Sequence, residues 1–267
     1  MRLFDTHAHF DGFAAEGTVG EVLSRARAAG VERICAVGSS EASNELVAEL
    51  AQAHPDMIAA AVGYDRDQTD RPRDAGRLAE LAGQPGVAAI GEIGLDYYYS
   101  AETAPAQRAL FGEMLALALE RRRPVIVHSR YADDDTAAML GEFSTAWKKS
   151  FHTMENPPPP GILHCFTGDA AFAEELLALG LFISFSGIVS FNNAEPLREV
   201  ARGIPENRLL VETDCPYLTP KPFRGKVNEP AYVARVAEVL AEARGAAPAA
   251  LAEATFANAA RVFQLEG

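Results

Sequence analysis

Two acidic residues and four of the six histidines stand at or just after the ends of short apolar runs that are typical of buried β-strands. The histidines are His7, His9, His128 and His164, and the acids are Glu92 and Asp214. His7 and His9 are two residues apart, so on a strand both imidazoles point to the same face. Mixed imidazole and carboxylate donors suit a divalent transition metal, and a set of this size suits two metals that share a bridging carboxylate. The alternative is a group of buried structural histidines.

The elements that must position these residues alternate along the chain. Strands are predicted at Leu3–Thr6, Glu32–Val37, Ile58–Val62, Val87–Gly91, Pro124–Val127, Gly161–Leu163, Leu181–Ser184 and Arg208–Glu212. Helices are predicted near 17–29, 41–53, 74–82, 103–121, 133–149, 169–178, 194–202, 229–244 and 248–263. Eight strands, each followed by a helix, predict an α/β protein with a (β/α)₈ TIM barrel and extra C-terminal helices. An open doubly wound sheet is the alternative, but the first strand is not followed by a Gly-rich phosphate loop.

Composition is that of an ordinary globular protein, with 48% hydrophobic and 23% charged residues among 267. We expect one domain over residues 1–267. The net charge is −13, which repels nucleic acid and anionic membranes at long range. A polyanionic substrate would therefore need local positive charge from bound metal or from clustered Arg and Lys.

The cysteines and the lengths of the apolar runs indicate the cellular compartment of the protein. The three cysteines form no CxxC motif, which favours a reducing cytoplasm. The sequence shows neither a signal peptide nor an apolar run of about 18 residues, so we expect a cytoplasmic protein without a membrane span.

One segment breaks the alternation of strands and helices. Residues 144–160 read STAWKKSFHTMENPPPP, and four successive prolines favour an extended spacer rather than a helix. We predict that about 144–160 forms a Pro-rich surface excursion between the fifth helix and the sixth strand.

The segments FDTHAHFD, GEIGLDYYY, VIVHSR, LHCFTG and ETDCPYLTPKPFRGKVNEP occur in this order. Together they closely resemble the TatD-related metal-dependent deoxyribonucleases of the amidohydrolase superfamily. The resemblance covers nearly the whole chain and ends with TFANAARVF. It implies a distorted TIM barrel of amidohydrolase type with one or two divalent metal ions at its mouth.

The resemblance also implies roles for the six residues. His7 and His9 would hold one metal with Asp214, His128 and His164 would hold the other, and Glu92 would bridge the two. Bridging requires an anion with two oxygens, which a glutamate supplies. Zn²⁺, Mn²⁺, Ni²⁺ and Co²⁺ suit this ligation, whereas Mg²⁺ prefers oxygen ligands, although magnesium is often used in assays of the family.

Residues near the six have weaker predicted roles. Asp5 and Glu212 each lie two residues before a predicted ligand, and they would either orient it or form a buried structural pair. Arg130, Arg224 and Lys226 are candidate phosphate contacts, with a solvated surface role as the alternative. Tyr97 and its neighbours Tyr98 and Tyr99 would stack a base at the rim or pack the loop.

We therefore expect a metal-dependent hydrolase, by resemblance a deoxyribonuclease that acts as a 3′–5′ exonuclease on single-stranded DNA or on DNA ends. Asp214 and Glu92 are the predicted catalytic residues, Asp214 as the acceptor of the proton from the attacking water. The alternative is an ester or amide hydrolase, such as an aminoacyl-tRNA deacylase or a small-molecule amidohydrolase. A noncatalytic metal scaffold is disfavoured because a structural zinc site closes with four ligands. The sequence makes no prediction of the oligomeric state.

Overall fold

Eight parallel strands pair with each other in the order in which they occur in the chain. The computed structural model describes residues 1–265, apart from the side chains of Tyr99 and Ser100. The strands are β1 (Leu3–Ala8), β2 (Val31–Val37), β3 (Ile58–Val62), β4 (Val87–Asp96), β5 (Val125–Arg130), β6 (Gly161–Leu163), β7 (Phe182–Phe185) and β8 (Leu209–Val211).

The sheet closes between β1 and the segment that follows β8. The backbone N–H of Asp214 donates to the carbonyl of His7 over 2.9 Å, and that of His9 donates to the carbonyl of Cys215 over 2.8 Å. A parallel bridge between Ala8 and Cys215 lies at the same seam. The predicted (β/α)₈ TIM barrel is therefore confirmed.

Helices surround the barrel and cap one end of it. They are α1 (Asp11–Ala15), α2 (Val19–Ala28), α3 (Glu41–Ala53), α4 (Ala75–Ala82), α5 (Tyr97–Ser100), α6 (Ala104–Arg121), α7 (Asp133–Ser150), α8 (Ala170–Leu179), α9 (Glu195–Gly203), α10 (Val233–Arg244) and α11 (Pro248–Phe263). The short α1 and α5 have no counterpart among the predicted helices. None of the helices within residues 1–265 combines the length and the apolar character needed to cross a membrane.

The core has two parts. The larger part lies between the sheet and the helices, and the smaller part consists of strand residues that face the barrel axis together with residues of α11. At the start of β1, the ring of Phe4 packs against Phe256 and Phe263 of α11, with centroid distances of 5.9 and 5.3 Å. Helix α11 thus plugs the amino end of the barrel, which leaves the carboxyl ends of the strands as the open mouth.

Several strands extend further toward the mouth than their apolar runs indicated. Strand β1 continues to Ala8, β4 to Asp96 and β5 to Arg130, so His7, Glu92 and His128 lie within strands rather than after them. Strand β8 is shorter and ends at Val211. The apolar pattern stops where side chains begin to line the mouth, but the backbone hydrogen bonds of the barrel continue past that point.

The predicted Pro-rich excursion over 144–160 begins too early. Helix α7 continues to Ser150, and Ser144 and Trp147 are buried on it. The indole N–H of Trp147 donates to the carbonyl of Pro158 over 2.8 Å. Residues 152–157 are exposed, whereas Pro159 and Pro160 are buried. The predicted helix near 133–149 thus agrees with α7, and only the segment after Ser150 departs from the barrel.

Candidate metal centre

The six side chains singled out in the sequence converge at the mouth of the barrel. They come from five strands or from the residues just beyond them: His7, His9, Glu92, His128, His164 and Asp214. Strands β4 and β5 approach closely at Gly94, where a Cβ would lie 2.1 Å from the carbonyl oxygen of His128. Its φ of +131° also favours glycine. This close approach brings Glu92 beside His128.

One group of donor atoms surrounds Nε2 of His7. This nitrogen lies 3.2 Å from Nε2 of His9, 3.5 Å from Oε2 of Glu92 and 3.8 Å from Oδ1 of Asp214. Nε2 of His9 lies 3.5 Å from the same glutamate oxygen and 3.6 Å from the same aspartate oxygen. Ligands about 2.0–2.2 Å from a tetrahedral metal ion are about 3.3–3.6 Å apart. These four atoms therefore have nearly the spacing of one ligand shell.

A second group of donor atoms surrounds the other oxygen of Glu92. Its Oε1 lies 3.5 Å from Nδ1 of His128 and 3.4 Å from Nε2 of His164. These two nitrogens are 3.3 Å apart. The two oxygens of Glu92 thus face different pairs of histidines. The groups adjoin each other, since the rings of His7 and His164 stack at a centroid distance of 3.9 Å.

The pKa shifts in the cluster run in two directions: those of both carboxylates and of two imidazoles favour a bound cation, whereas the pKa values of His9 and His164 are raised. Burial alone would raise the pKa of Glu92, but its interactions with His164 and His7 lower that pKa well below the usual value. Burial is likewise outweighed at Asp214, whose pKa is lowered by a hydrogen bond with His9 and by the neighbouring imidazoles. Burial lowers the pKa of His7 and His128, which favours the neutral form that binds metal.

Carboxylates stand behind two of the imidazoles. Oδ2 of Asp96 lies 3.4 Å from Nε2 of His128, and Oε1 of Glu212 lies 3.3 Å from Nδ1 of His164. Burial alone would lower the pKa of His164, but Glu92 and Glu212 raise it well above the usual value. Carboxylates in this position orient metal-binding histidines and select the nitrogen that carries the proton. Glu212 therefore stands behind His164 and not behind Asp214, the residue that its spacing in the sequence suggested.

The fit of a metal rests on the donor set, because none of the buried polar atoms without a hydrogen-bond partner is a donor atom of the two groups. Within the described part of the chain, four buried side-chain polar atoms have no hydrogen-bond partner: Nδ1 of His7, Nε2 of His128, Nδ1 of His164 and Oε2 of Glu212. Elsewhere in this part of the chain, every buried side-chain polar atom has one. His7, His9 and Asp214, and likewise His7, Glu92 and His164, each bring donor atoms within 4.8 Å of one another. The donor chemistry and its spacing fit a divalent metal.

Asp5 has a structural place at the seam of the barrel. Its carboxylate accepts hydrogen bonds from the backbone N–H and the hydroxyl of Thr213, over 2.8 and 2.5 Å. Burial raises the pKa of Asp5 to about 8. The residue thus ties β1 to the segment that carries Asp214. Of the two roles predicted for Asp5, this is the buried structural pairing rather than the orientation of a ligand.

Arg66 and Asp96 belong to the site but were missed in the sequence. A guanidinium nitrogen of Arg66 donates to Oε1 of Glu92 over 3.2 Å, and another lies 3.7 Å from Oδ2 of Asp96. The sequence did contain a signal for Asp96. It lies four residues after Glu92, and residues four apart on one strand share a face. Arg66 carried none, because it follows β3 in a short 3₁₀ turn over Arg66–Gln68.

The four predicted substrate contacts lie around the centre rather than in it. The hydroxyl of Tyr97 donates to Asp135 over 2.6 Å. The guanidinium of Arg130 lies 4.0 Å from the ring centroid of Tyr98, and that of Arg224 lies 4.3 Å from that of Phe191. Lys226 is exposed. Within the described residues, no ion pair joins Arg224 or Lys226 to the six central side chains. Tyr99 was grouped with Tyr97, but its side chain lies outside the described residues.

Strained backbone is concentrated at the mouth. Six non-glycine residues of the described chain have positive φ, and four of them follow site strands: Tyr131, Cys165, Asp214 and Leu218. Asp214 itself has a φ of +55°. Such conformations cost free energy and persist where the surrounding structure imposes them, often at functional sites.

A TIM barrel with this cluster of imidazoles and carboxylates at its mouth places the protein in the class of metal-dependent hydrolases. The chain belongs to the TatD-related DNase family, whose model matches residues 4–264. It is 42% identical over 269 residues to an uncharacterized metal-dependent hydrolase, YcfH, from Escherichia coli K12, covering 100% of this chain and 97% of the relative.

Two further relatives agree with this assignment. The crystal structure of YjjV, a TatD homologue from Escherichia coli K12, superposes with a TM-score of 0.87 at 30% identity and covers 99% of both chains. A protein from Pectobacterium carotovorum named 3′-5′ ssDNA/RNA exonuclease TatD is 34% identical over 270 residues, covering 98% of this chain and 100% of the relative.

Proposed function

We propose that this protein hydrolyses phosphodiester bonds at the 3′ ends of DNA strands with the help of one or two divalent metal ions. The observation that carries the proposal is that the two oxygens of the Glu92 carboxylate face different pairs of histidines. Its Oε2 lies 3.5 Å from the nitrogens of His7 and His9, whereas its Oε1 lies 3.4–3.5 Å from those of His128 and His164. A carboxylate with each oxygen aimed at a different histidine pair suits the bridge of a two-metal site.

In this proposal His7, His9 and Asp214 would hold one ion, His128 and His164 would hold the other, and Glu92 would be shared by the two groups. A bound divalent ion supplies Lewis acidity, which lowers the pKa of a coordinated water and neutralises charge on the phosphoryl group. The four imidazoles favour Zn²⁺, Mn²⁺, Ni²⁺ or Co²⁺ over Mg²⁺, which prefers oxygen ligands.

Residues of the chain carry the remaining steps. Asp214 directs Oδ1 at the first histidine pair, which leaves Oδ2 to accept the proton of the attacking water. Arg130, Arg224 and Lys226 bind phosphates of the strand. These cations and the metal provide the local positive charge that a chain of net charge −13 needs near a polyanion.

The substrate class is supported by the family and by the relative named as an exonuclease of single-stranded DNA and RNA. A cytoplasmic location is part of the proposal. It is supported by Cys35, Cys165 and Cys215, whose thiols are free in the structure.

A direct comparison of substrates tests the function. Metal-loaded protein is incubated with single-stranded DNA labelled at the 5′ or the 3′ end, with blunt duplex, with single-stranded RNA and with an aminoacylated tRNA. We expect release of mononucleotides from the 3′ end of DNA and loss of this activity in chelator. Deacylation of the tRNA without cleavage of any strand would replace the nuclease by an ester hydrolase. Full strand cleavage in chelator by protein without metal would refute the metal centre.

A further inference from the structure

Exposed tyrosines surround the metal centre. Among the described residues, the exposed large apolar side chains are Met1, Tyr98, Tyr131, Met154, Tyr217 and Val227. All three aromatic ones lie two or three residues beyond a site residue: Tyr98 after Asp96, Tyr131 after His128 and Tyr217 after Asp214. Exposing an aromatic ring forgoes the free energy of its burial. The location of these rings at the mouth therefore indicates a ligand that contacts flat apolar surfaces.

Two of these tyrosines form a cluster with an arginine. The rings of Tyr98 and Tyr131 have centroids 5.3 Å apart and planes inclined by 31°. The guanidinium carbon of Arg130 lies 4.0 Å from the centroid of Tyr98. We call Tyr98, Arg130 and Tyr131 the tyrosine–arginine cluster. Tyr131 is 74% exposed and Tyr98 is 53% exposed, so both retain ring surface for a ligand.

Rigid elements hold the cluster beside the second donor group. Asp96 pairs with Arg130 across β4 and β5, and its Oδ1 accepts the backbone N–H of Tyr98 over 2.9 Å. Oδ2 of the same Asp96 faces His128. The cluster is therefore fixed to the carboxylate that stands behind a predicted metal ligand. A strand whose phosphate lies at the metal centre would bring a neighbouring base within reach of these rings.

We propose that the tyrosine–arginine cluster stacks an unpaired nucleobase next to the scissile phosphate, whichever base that is. This inference rests on the proposed function. Aromatic side chains and arginine stack on every base because each base has a π-face. A base inside a duplex is already stacked on its neighbours, so only an unpaired end offers a free face.

Substitutions of Tyr131 test the stacking. Tyr131→Phe keeps the ring, Tyr131→Leu keeps an apolar side chain without a π-face, and Met154→Ala is the matched control, since Met154 is 50% exposed and precedes β6 at the other end of the barrel. The probes are oligonucleotides with hydrolysis-resistant phosphorothioate linkages, each carrying 2-aminopurine at one of the last three 3′ positions. Metal-loaded protein is titrated, and quenching of the 2-aminopurine fluorescence reports stacking.

We expect quenching at one position in the wild type, in Tyr131→Phe and in Met154→Ala. Tyr131→Leu should lose the quenching and weaken binding about 5- to 150-fold, the range found when one base–aromatic stack is removed. With an abasic residue at that position, wild type and Tyr131→Leu should bind equally. Equal binding of wild type and Tyr131→Leu to the intact strand would overturn the proposal. It would also be overturned if Tyr131→Leu weakened binding to the abasic strand as much as binding to the intact strand.

A separate assay distinguishes failure of this inference from failure of the proposed function. Cleavage of an unmodified strand by the wild type measures the nuclease itself, whatever the cluster does. If the wild type cleaves strands but Tyr131→Leu behaves like wild type in binding, only the stacking is wrong. If the wild type cleaves no strand while 2-aminopurine is quenched, the stacking stands and the nuclease proposal fails.

Discussion

The two donor groups share Glu92 but are built differently. The first group, around His7, His9 and Asp214, lies at the seam where β1 meets the segment after β8, and backbone hydrogen bonds hold it there. The outward nitrogens of His7, His128 and His164 all lack a hydrogen-bond partner among the described residues, so the two groups do not differ in this respect. The second group, around His128 and His164, has a carboxylate behind each imidazole and Arg66 beside Glu92.

This difference indicates separate tasks for the two groups. The first offers four donor atoms and owes its geometry to closure of the barrel, so it should hold its ion more tightly. The second offers three donor atoms and owes its geometry to Asp96 and Glu212. Three protein ligands leave a coordination position for water or substrate, as in catalytic zinc sites. The second ion should therefore exchange more readily.

The largest expected effect comes from Asp214→Asn in the first group. An amide cannot accept a proton at neutral pH, so kcat should fall about 10²- to 10⁴-fold, the usual contribution of a general base. KM should change much less, because phosphate binding depends on the metals and on basic side chains. Steady-state kinetics and metal analysis must use the same preparation. Wild-type turnover at full metal occupancy would mean that the base lies elsewhere, and joint loss of metal and activity would support ligation alone.

Glu92→Gln tests whether the groups are joined. The substitution keeps the shape but removes the charge that holds two cations together. We expect loss of one metal per chain and a rate decrease of about 10²-fold or more, at the upper end of effects seen when residues that tune a metal site are replaced. Elemental analysis and turnover measure both effects. Wild-type turnover with a full metal complement would show that Glu92 does not bridge.

Asp96→Asn tests the second group alone. Removal of the charge behind His128 should weaken the more readily exchanged metal about 10- to 100-fold, as for other residues that orient a ligand. The first metal should be unaffected. Titration of the metal-free protein with Co²⁺, followed by absorption, resolves the two steps. Asp135→Asn on α7 is the control, since its carboxylate pairs with Arg108 at 2.9 Å. If Asp96→Asn weakened both Co²⁺ binding steps, the two donor groups would not bind their ions independently.

The smallest expected effect is that of Arg224→Ala, outside both groups. Loss of one phosphate contact should raise KM for an oligonucleotide a few-fold with metal content unchanged. The slope of log KM against log salt concentration should decrease by the contribution of about one phosphate contact. Arg27→Ala is the control, because Arg27 near the end of α2 pairs with Asp56, which lies just before β3, and so is away from the carboxyl ends of the strands. If the two variants show the same salt slope, Arg224 is an ordinary surface charge.

Much of this organisation was predictable from local pattern. The apolar runs and their alternation with helical segments predicted the barrel, and the register of His7, His9 and His128 predicted where they lie. The predicted strands β1, β4 and β5 ended too early because apolar periodicity stops where side chains line the mouth. The Pro-rich excursion was placed too early because burial of Trp147 depends on helix packing rather than on its neighbours in sequence.

The sequence by itself determined the donor types, their places toward the carboxyl ends of the strands and the family, because strand period and residue chemistry are local properties. Only the tertiary structure decided that the two oxygens of Glu92 face different histidine pairs, since that depends on the register between β4 and β5 and on closure at β1. It also brought Arg66 to Glu92 across 26 positions and the ring of Tyr131 to that of Tyr98. Such contacts depend on barrel closure and on side-chain rotamers, which no short segment specifies.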